Sequence, residues 1–214
     1  MKRKIDYSLY LVTDRDLMSA PSIEEAVERA IRGGCTLVQL REKTASSLEF
    51  FRTAQTVKAV TDRFGVPLIV NDRLDIALAI DADGVHVGQD DIPADAARRL
   101  IGPDKILGVS ASCVREARDA MEAGADYLGV GAMFATGTKA DAGLMPMDEL
   151  SRIRREIPLP IVVIGGINSA TARAFEGSGI DGFSVVSAVI GAPDIEAAAR
   201  ELKELFMSQR ASRA

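Results

Sequence analysis

Cysteine and histidine are scarce in this sequence: 214 residues carry two cysteines, Cys35 and Cys113, and one histidine, His86. They are too few for a disulfide framework or a four-ligand zinc site, and a reducing compartment is the natural setting. Long apolar runs are missing as well. No window approaches the roughly 18 apolar residues that a membrane-spanning helix needs. The first apolar run, Tyr10-Leu-Val12, is too short for the core of a signal peptide. Positive charge is in deficit, with a formal net charge of −5. Such a chain is a poor general partner for nucleic acid or an anionic membrane, which leaves room only for a local basic pocket. Glycine and proline show no repeat, and no Pro/Ser/Gly-rich linker divides the chain. The expectation is one soluble, cytoplasmic domain spanning residues 1–214, with a frayed polar tail at 207–214. A homo-oligomer is left open.

With 47% hydrophobic residues the chain can bury a full core. Its apolar residues come in two patterns. Short runs, many of them β-branched, recur at Tyr10–Val12, Leu37–Leu40, Leu68–Val70, Val85–Val87, Ile106–Val109, Tyr127–Val130, Ile161–Ile164 and Phe183–Val186. Most are continuous rather than alternating, as in parallel strands covered on both faces. Between them the spacing is helical. Ile23, Ala26, Val27, Ala30 and Ile31 form one stripe behind a Ser22/Glu25 capping signature, and Ser46/Glu49 repeats that signature before Phe50–Val60. Further helices are predicted over Leu74–Ile80, Ala94–Ile101, Val114–Ala123, Met147–Glu156, Ala170–Glu176 and a last stretch holding Ile195, Ala199, Leu202 and Phe206. Strand and helix alternating in this way give either an open doubly wound sheet or a closed (β/α)8 TIM barrel. We read a single-domain α/β barrel.

In a barrel the C-terminal ends of all strands face one mouth, where active sites are built. The polar residues out of keeping with their neighbours follow the apolar runs: Gln39, Arg41 and Lys43; Asn71 and Asp72; Asp91; Ser110; Thr136 to Lys139; Gly165-Gly166; and Ser187. Arg41, Lys43 and Lys139 are cations that suit an anion such as a phosphate. Asp72 and Asp91 are either salt-bridge partners of these cations or ligands for Mg²⁺, which typically takes one or two carboxylates plus substrate phosphates. Gly165-Gly166, followed by a helix beginning at Asn168 or Ser169, predicts a backbone cup for a second phosphate. Plainer readings hold elsewhere. Glu42 between two cations reads as a solvated charge, Asp83 as a turn residue, and His86 as a packed residue of the barrel interior. Cys35 and Cys113 read as inert thiols, and Met133, Met145 and Met147 as core filler.

Taken together, Gln39-Leu-Arg-Glu-Lys43, Asn71-Asp72, Ala82-Asp-Gly-Val-His-Val-Gly-Gln-Asp-Asp91, Gly108-Val-Ser110, Thr136-Gly-Thr-Lys139, Ile164-Gly-Gly-Ile167 and Val186-Ser187 resemble the thiamine phosphate synthase family. The resemblance runs from Tyr10 to about Phe206. It implies a transferase on a (β/α)8 barrel that joins an aminopyrimidinylmethyl diphosphate to a thiazole phosphate, or its carboxylated form. Thiamine phosphate and diphosphate are the products, and Mg²⁺ is the cofactor. By resemblance, Gln39, Arg41, Lys43, Asn71, Ser110 and Lys139 hold the pyrimidine diphosphate, with Arg41, Lys43, Lys139 and Ser110 as the catalytic set. Asp72 and Asp91 bind Mg²⁺, and Thr136, Gly137, Thr138, Gly166, Val186 and Ser187 contact the thiazole phosphate. The sequence departs from the family in the run Gly131-Ala-Met-Phe-Ala-Thr136, which lacks two prolines usual there.

Three other functions compete. A thiazole tautomerase on the same barrel uses a histidine after the fifth strand, where this chain has Ser110-Ala-Ser-Cys113. A non-catalytic phosphate-binding barrel does not account for the retained Lys139 and aspartates. A sugar-phosphate enzyme leaves Asp72 and Asp91 without a task.

Overall fold

The computed structural model describes residues 4–135 and 143–211. Eight parallel strands, β1 (Leu9–Val12), β2 (Leu37–Leu40), β3 (Leu68–Asn71), β4 (Gly84–Val87), β5 (Ile106–Ala111), β6 (Tyr127–Val130), β7 (Ile161–Val163) and β8 (Gly182–Val185), pair in chain order. β8 returns to β1 through Leu9↔Phe183 and Leu11↔Val185, closing the barrel. Helices α1 (Ile23–Arg32), α2 (Ser47–Phe64), α3 (Leu74–Ala79), α4 (Ala94–Ile101), α5 (Val114–Glu122) and α6 (Met147–Glu156) follow the first six strands. A 3₁₀ turn (Ala172–Phe175) follows β7, and α7 (Ser187–Ile190) with α8 (Ile195–Ala211) follows β8. The closed barrel overrules the open-sheet alternative.

The run of apolar residues in each strand has a simple cause. Successive strand side chains alternate between faces, and here both faces are covered. Tyr10, Leu37, Ile69, Ile106, Tyr127 and Val162 fill the inside of the barrel, with Tyr7 beside them. Leu11, Val38, Leu40, Val70, Val85 and Leu107 point outward against the helical ring. Aspartates tie the strand bases together. Asp83, read as a turn residue, accepts the Leu68 N–H at 2.9 Å. Asp126 accepts from Leu107 N–H at 2.8 Å and Asp181 from Ile161 N–H at 2.9 Å.

Helix starts obey the capping signatures. Ser46 and Glu49 exchange both bonds of a capping box, and Ser22 accepts the Glu25 N–H. Two expectations are corrected. The helix predicted over Ala170–Glu176 is only the 3₁₀ turn Ala172–Phe175, entered through a turn in which Asn168 Oδ1 accepts the N–H groups of Ala170 and Thr171. The tail expected to fray from residue 207 continues α8 through Ala211. Buried Gln209 anchors it by donating to the Ala172 carbonyl at 3.0 Å.

Candidate active site

A cavity of about 360 Å³ opens at the C-terminal mouth of the barrel. Of the residues chosen from the sequence, Gln39, Arg41, Lys43, Asn71, Asp72, Asp91, Ser110, Gly166, Val186 and Ser187 all line it. Thr136, Gly137, Thr138 and Lys139 lie outside the described residues. The short strands explain the convergence. Each leaves its last inward side chain at the rim, so residues from positions 39 to 187 meet within one mouth.

The β1–α1 loop shapes the cationic wall. Thr13 Oγ1 accepts the Arg41 backbone N–H at 3.0 Å, and Asp14 Oδ2 lies 3.3 Å from Arg41 Nη1. One edge of the guanidinium is thereby held. Glu42 is not the solvated charge expected from its neighbours: its side chain is 3% exposed and pairs with Arg15 at 2.7 Å. The loop that steadies Arg41 thus also covers Glu42. A carboxylate taken out of water requires such a partner.

The acidic part of the mouth combines β3 and β4. Asp72 adopts a left-handed backbone, φ 61°, directly after β3, and its N–H donates to the His86 carbonyl at 2.9 Å. Its carboxylate accepts from Lys43 Nζ at 2.7 Å. Asp91 Oδ2 accepts the Gly88 N–H at 2.7 Å, which turns its carboxylate back toward the mouth. Burial raises the Asp72 carboxyl above the usual range. The Lys43 ammonium offsets that rise, and the nearby Asp91 carboxylate adds to it. Two neighbouring carboxylates beside a cation fit a divalent metal. Among the described residues no cluster of three or more His, Cys, Asp or Glu could hold a metal. A pair of carboxylates suits an ion that completes its shell with phosphate oxygens and water, as Mg²⁺ does.

At β7 and β8, Gly165 and Gly166 hold positive φ values of 96° and 65°. A Cβ at Gly166 would lie 2.8 Å from the Phe134 Cβ, so the backbone passes close to the β6 loop. The helix expected from Asn168 or Ser169 is replaced by the 3₁₀ turn, and Asn168 Oδ1 accepts from the N–H groups of Ala170 and Thr171. Gly166, Val186 and Ser187 nevertheless face the cavity together.

Neither Tyr10 nor His86 is read as a site residue from the sequence. Tyr10 and His86 are buried at 1% and 8% exposure, inside the barrel as expected for His86, and both also line the cavity. His86 Nε2 lies 3.0 Å from Ser110 Oγ, and Gln89 Nε2 donates to the Ser110 carbonyl at 2.6 Å. The signal was available: a single histidine at an inward strand position among apolar residues. Cys35 is buried, Cys113 is partly exposed, and Met133 and Met145 belong to the outer core, whereas Met147 is exposed and fills no core gap.

Residues 9–189 match the family described as thiamine monophosphate synthase. The chain is 62% identical over 207 residues to thiamine-phosphate synthase of Clostridium beijerinckii, covering 97% of this chain and 99% of that protein. It is 57% identical to the enzyme of the same description from Ruminiclostridium cellulolyticum, covering 98% and 100%. A solved thiamine phosphate pyrophosphorylase from Pyrococcus furiosus superposes with a TM-score of 0.88 at 38% identity, over 95% of this chain and 97% of that one. A 3-hexulose-6-phosphate synthase, at 19% identity and a TM-score of 0.64, shares the fold alone.

Proposed function

The chain belongs to the thiamine monophosphate synthase family, transferases of thiamine biosynthesis, and from that membership we propose how its mouth carries out the reaction. The substrates are an aminopyrimidinylmethyl diphosphate and a thiazole phosphate, and the products are thiamine phosphate and diphosphate. The observation that supports this reading most is a single wall holding Arg41 and Lys43 beside the Asp72/Asp91 pair.

The bond that breaks joins the pyrimidinylmethyl carbon to diphosphate, and the bond that forms joins that carbon to the thiazole nitrogen. Negative charge grows on the departing diphosphate. Arg41, steadied by Asp14, and Lys43, within reach of Asp72, are placed to meet it. Lys139 is assigned to the same task by its family position. Asp72 and Asp91 would hold Mg²⁺, which when bound supplies further positive charge to the diphosphate oxygens. Gln39 and Asn71, at the ends of β2 and β3, and Ser110, on β5, orient the pyrimidine and its diphosphate. Gly166, Val186 and Ser187 hold the thiazole phosphate on the other side, a task that family position assigns to Thr136, Gly137 and Thr138 as well. The walls between are apolar, with Val162, Ile164 and Ala132 lining them, which disfavours capture of the carbon by water. No protein nucleophile is required.

The test is direct. The protein is incubated with both substrates and Mg²⁺, and thiamine phosphate and diphosphate are measured. Equimolar appearance of the two is expected. A folded protein that forms neither overturns the reading.

A further inference from the structure

A file of hydrogen bonds crosses the barrel interior at the floor of the cavity. Gln39 Nε2 on β2 donates to the Tyr10 hydroxyl on β1 at 2.6 Å. The Tyr10 and Tyr127 hydroxyls are 2.7 Å apart. Tyr127 OH, on β6, lies 3.0 Å from His86 Nδ1, on β4. His86 Nε2 lies 3.0 Å from Ser110 Oγ, on β5. The file thus ends on two cavity residues from different strands.

Counting protons along the file gives it a direction. Burial holds the Tyr10 and Tyr127 phenols well above their ordinary pKa, so each keeps its one proton. Tyr10 accepts from Gln39, which leaves its own proton for the Tyr127 oxygen. The Tyr127 proton is then left for His86 Nδ1. A neutral imidazole accepting at Nδ1 carries its proton on Nε2, which donates to Ser110 Oγ. The Ser110 proton is then left for the cavity. At the other end, Gln39 has turned its NH₂ toward Tyr10, so its carbonyl oxygen is the group it offers the cavity.

The backbone makes room for this file. A Cβ at Gly108 would lie 2.2 Å from Tyr127 Cζ and 2.5 Å from His86 Nδ1, and one at Gly129 would lie 3.0 Å from His86 Cε1. Glycine weakens a strand interior and marks a close approach. Here it admits the two rings.

We propose that His86, Tyr127 and Tyr10 are positioning residues that set the hydrogen-bonding sense of the site, with Ser110 as donor and Gln39 as acceptor. The matching ligand is a heterocycle that offers an N–H donor to Gln39 and an acceptor atom to Ser110, as an aminopyrimidine can. Only the identity of that ligand rests on the family reading; the direction of the file is a property of the resting protein.

His86 is the only histidine, so ¹⁵N-histidine labelling yields a spectrum with one pair of ring nitrogens. The expected result without substrate is Nδ1 in the unprotonated range and Nε2 in the protonated range. Tyr127→Phe keeps the ring and removes the donor to Nδ1, which shifts the Nδ1 resonance. It should also lower kcat/KM for the pyrimidine diphosphate about threefold to tenfold, the loss of roughly one hydrogen bond, with KM for the thiazole phosphate unchanged. In a Ser110→Ala background the same change should have little further effect, because both act through one contact. His86→Gln, which retains an N–H near the Nε2 position, should be more active than His86→Leu. A proton on Nδ1, or on both nitrogens, overturns the proposal, as does an equal loss from Tyr127→Phe in both backgrounds. If the wild type forms no thiamine phosphate, the family reading falls and the spectrum still decides the direction of the file.

Discussion

Lys43 Nζ lies 2.7 Å from Asp72 Oδ2, so the cation assigned to the leaving diphosphate rests against a carboxylate assigned to the metal. The pairing places both roles in one small volume and links them electrostatically. Lys43 is about half exposed, at 53%, so it can leave the carboxylate for an incoming phosphate at small cost.

Lys43→Ala should separate activity from stability. An exposed ion pair contributes roughly 0–1 kcal/mol, so the thermal midpoint should move by only a few degrees. Turnover should fall about a hundredfold to a thousandfold, as when one preorganised charge-stabilising donor is removed. Arg41→Ala and Lys139→Ala should fall similarly. Steady-state assays beside melting curves check this. Normal turnover in any of the three ends its assignment.

EDTA should abolish turnover, and excess Mg²⁺ should restore it. Asp91→Asn can still accept the Gly88 N–H, so the loop should survive. Loss of its charge should raise the Mg²⁺ concentration needed for half-maximal rate by about tenfold or more. A Mg²⁺ titration of the rate, wild type against variant, is the measurement. Coincident curves would remove Asp91 from the metal site.

Gly108→Ala places a methyl against Tyr127 and His86 in a closed interior. Overpacking of this kind costs about 1–3 kcal/mol. Denaturant unfolding should show a lower midpoint with little change in slope. An unchanged midpoint would mean that the two rings can move aside.

Burial pushes the Cys35 thiol up to about 12, from an ordinary value of 9.0. The folded thiol therefore keeps its proton at pH values where the unfolded one has lost it. Between those values the unfolded state binds fewer protons, so this residue makes stability fall as pH rises above about 9. Cys35→Ala should flatten that alkaline decline. A thiol reagent at pH 8 should titrate only Cys113, the partly exposed one, in the native protein and both cysteines after denaturation. Rapid reaction of two thiols in the native state would contradict this.

The eight strands were legible because burial on both faces leaves a mark that needs no partner to be recognised: a short continuous apolar run between helical stripes. The cationic and acidic residues were legible because each follows such a run, and a barrel sends all those ends to one mouth. Glu42 was misread for the opposite reason. Its burial depends on Arg15 in another loop, and its own neighbours in sequence are charged. The helix predicted over Ala170–Glu176 is a single 3₁₀ turn, because apolar spacing over so few residues does not distinguish a helix from one turn.

Local pattern along the chain determined the order of elements, the parallel sheet and most of the residues at the mouth, because each is encoded by spacing within about twenty positions. Tertiary structure alone decided the partnership of Tyr10 with Tyr127, 117 positions apart, and the file through His86 that joins Gln39 to Ser110. Those bonds exist because closure of the barrel turns one polar side chain from each of several strands into the same interior. There, away from water, each must find its partner among the others.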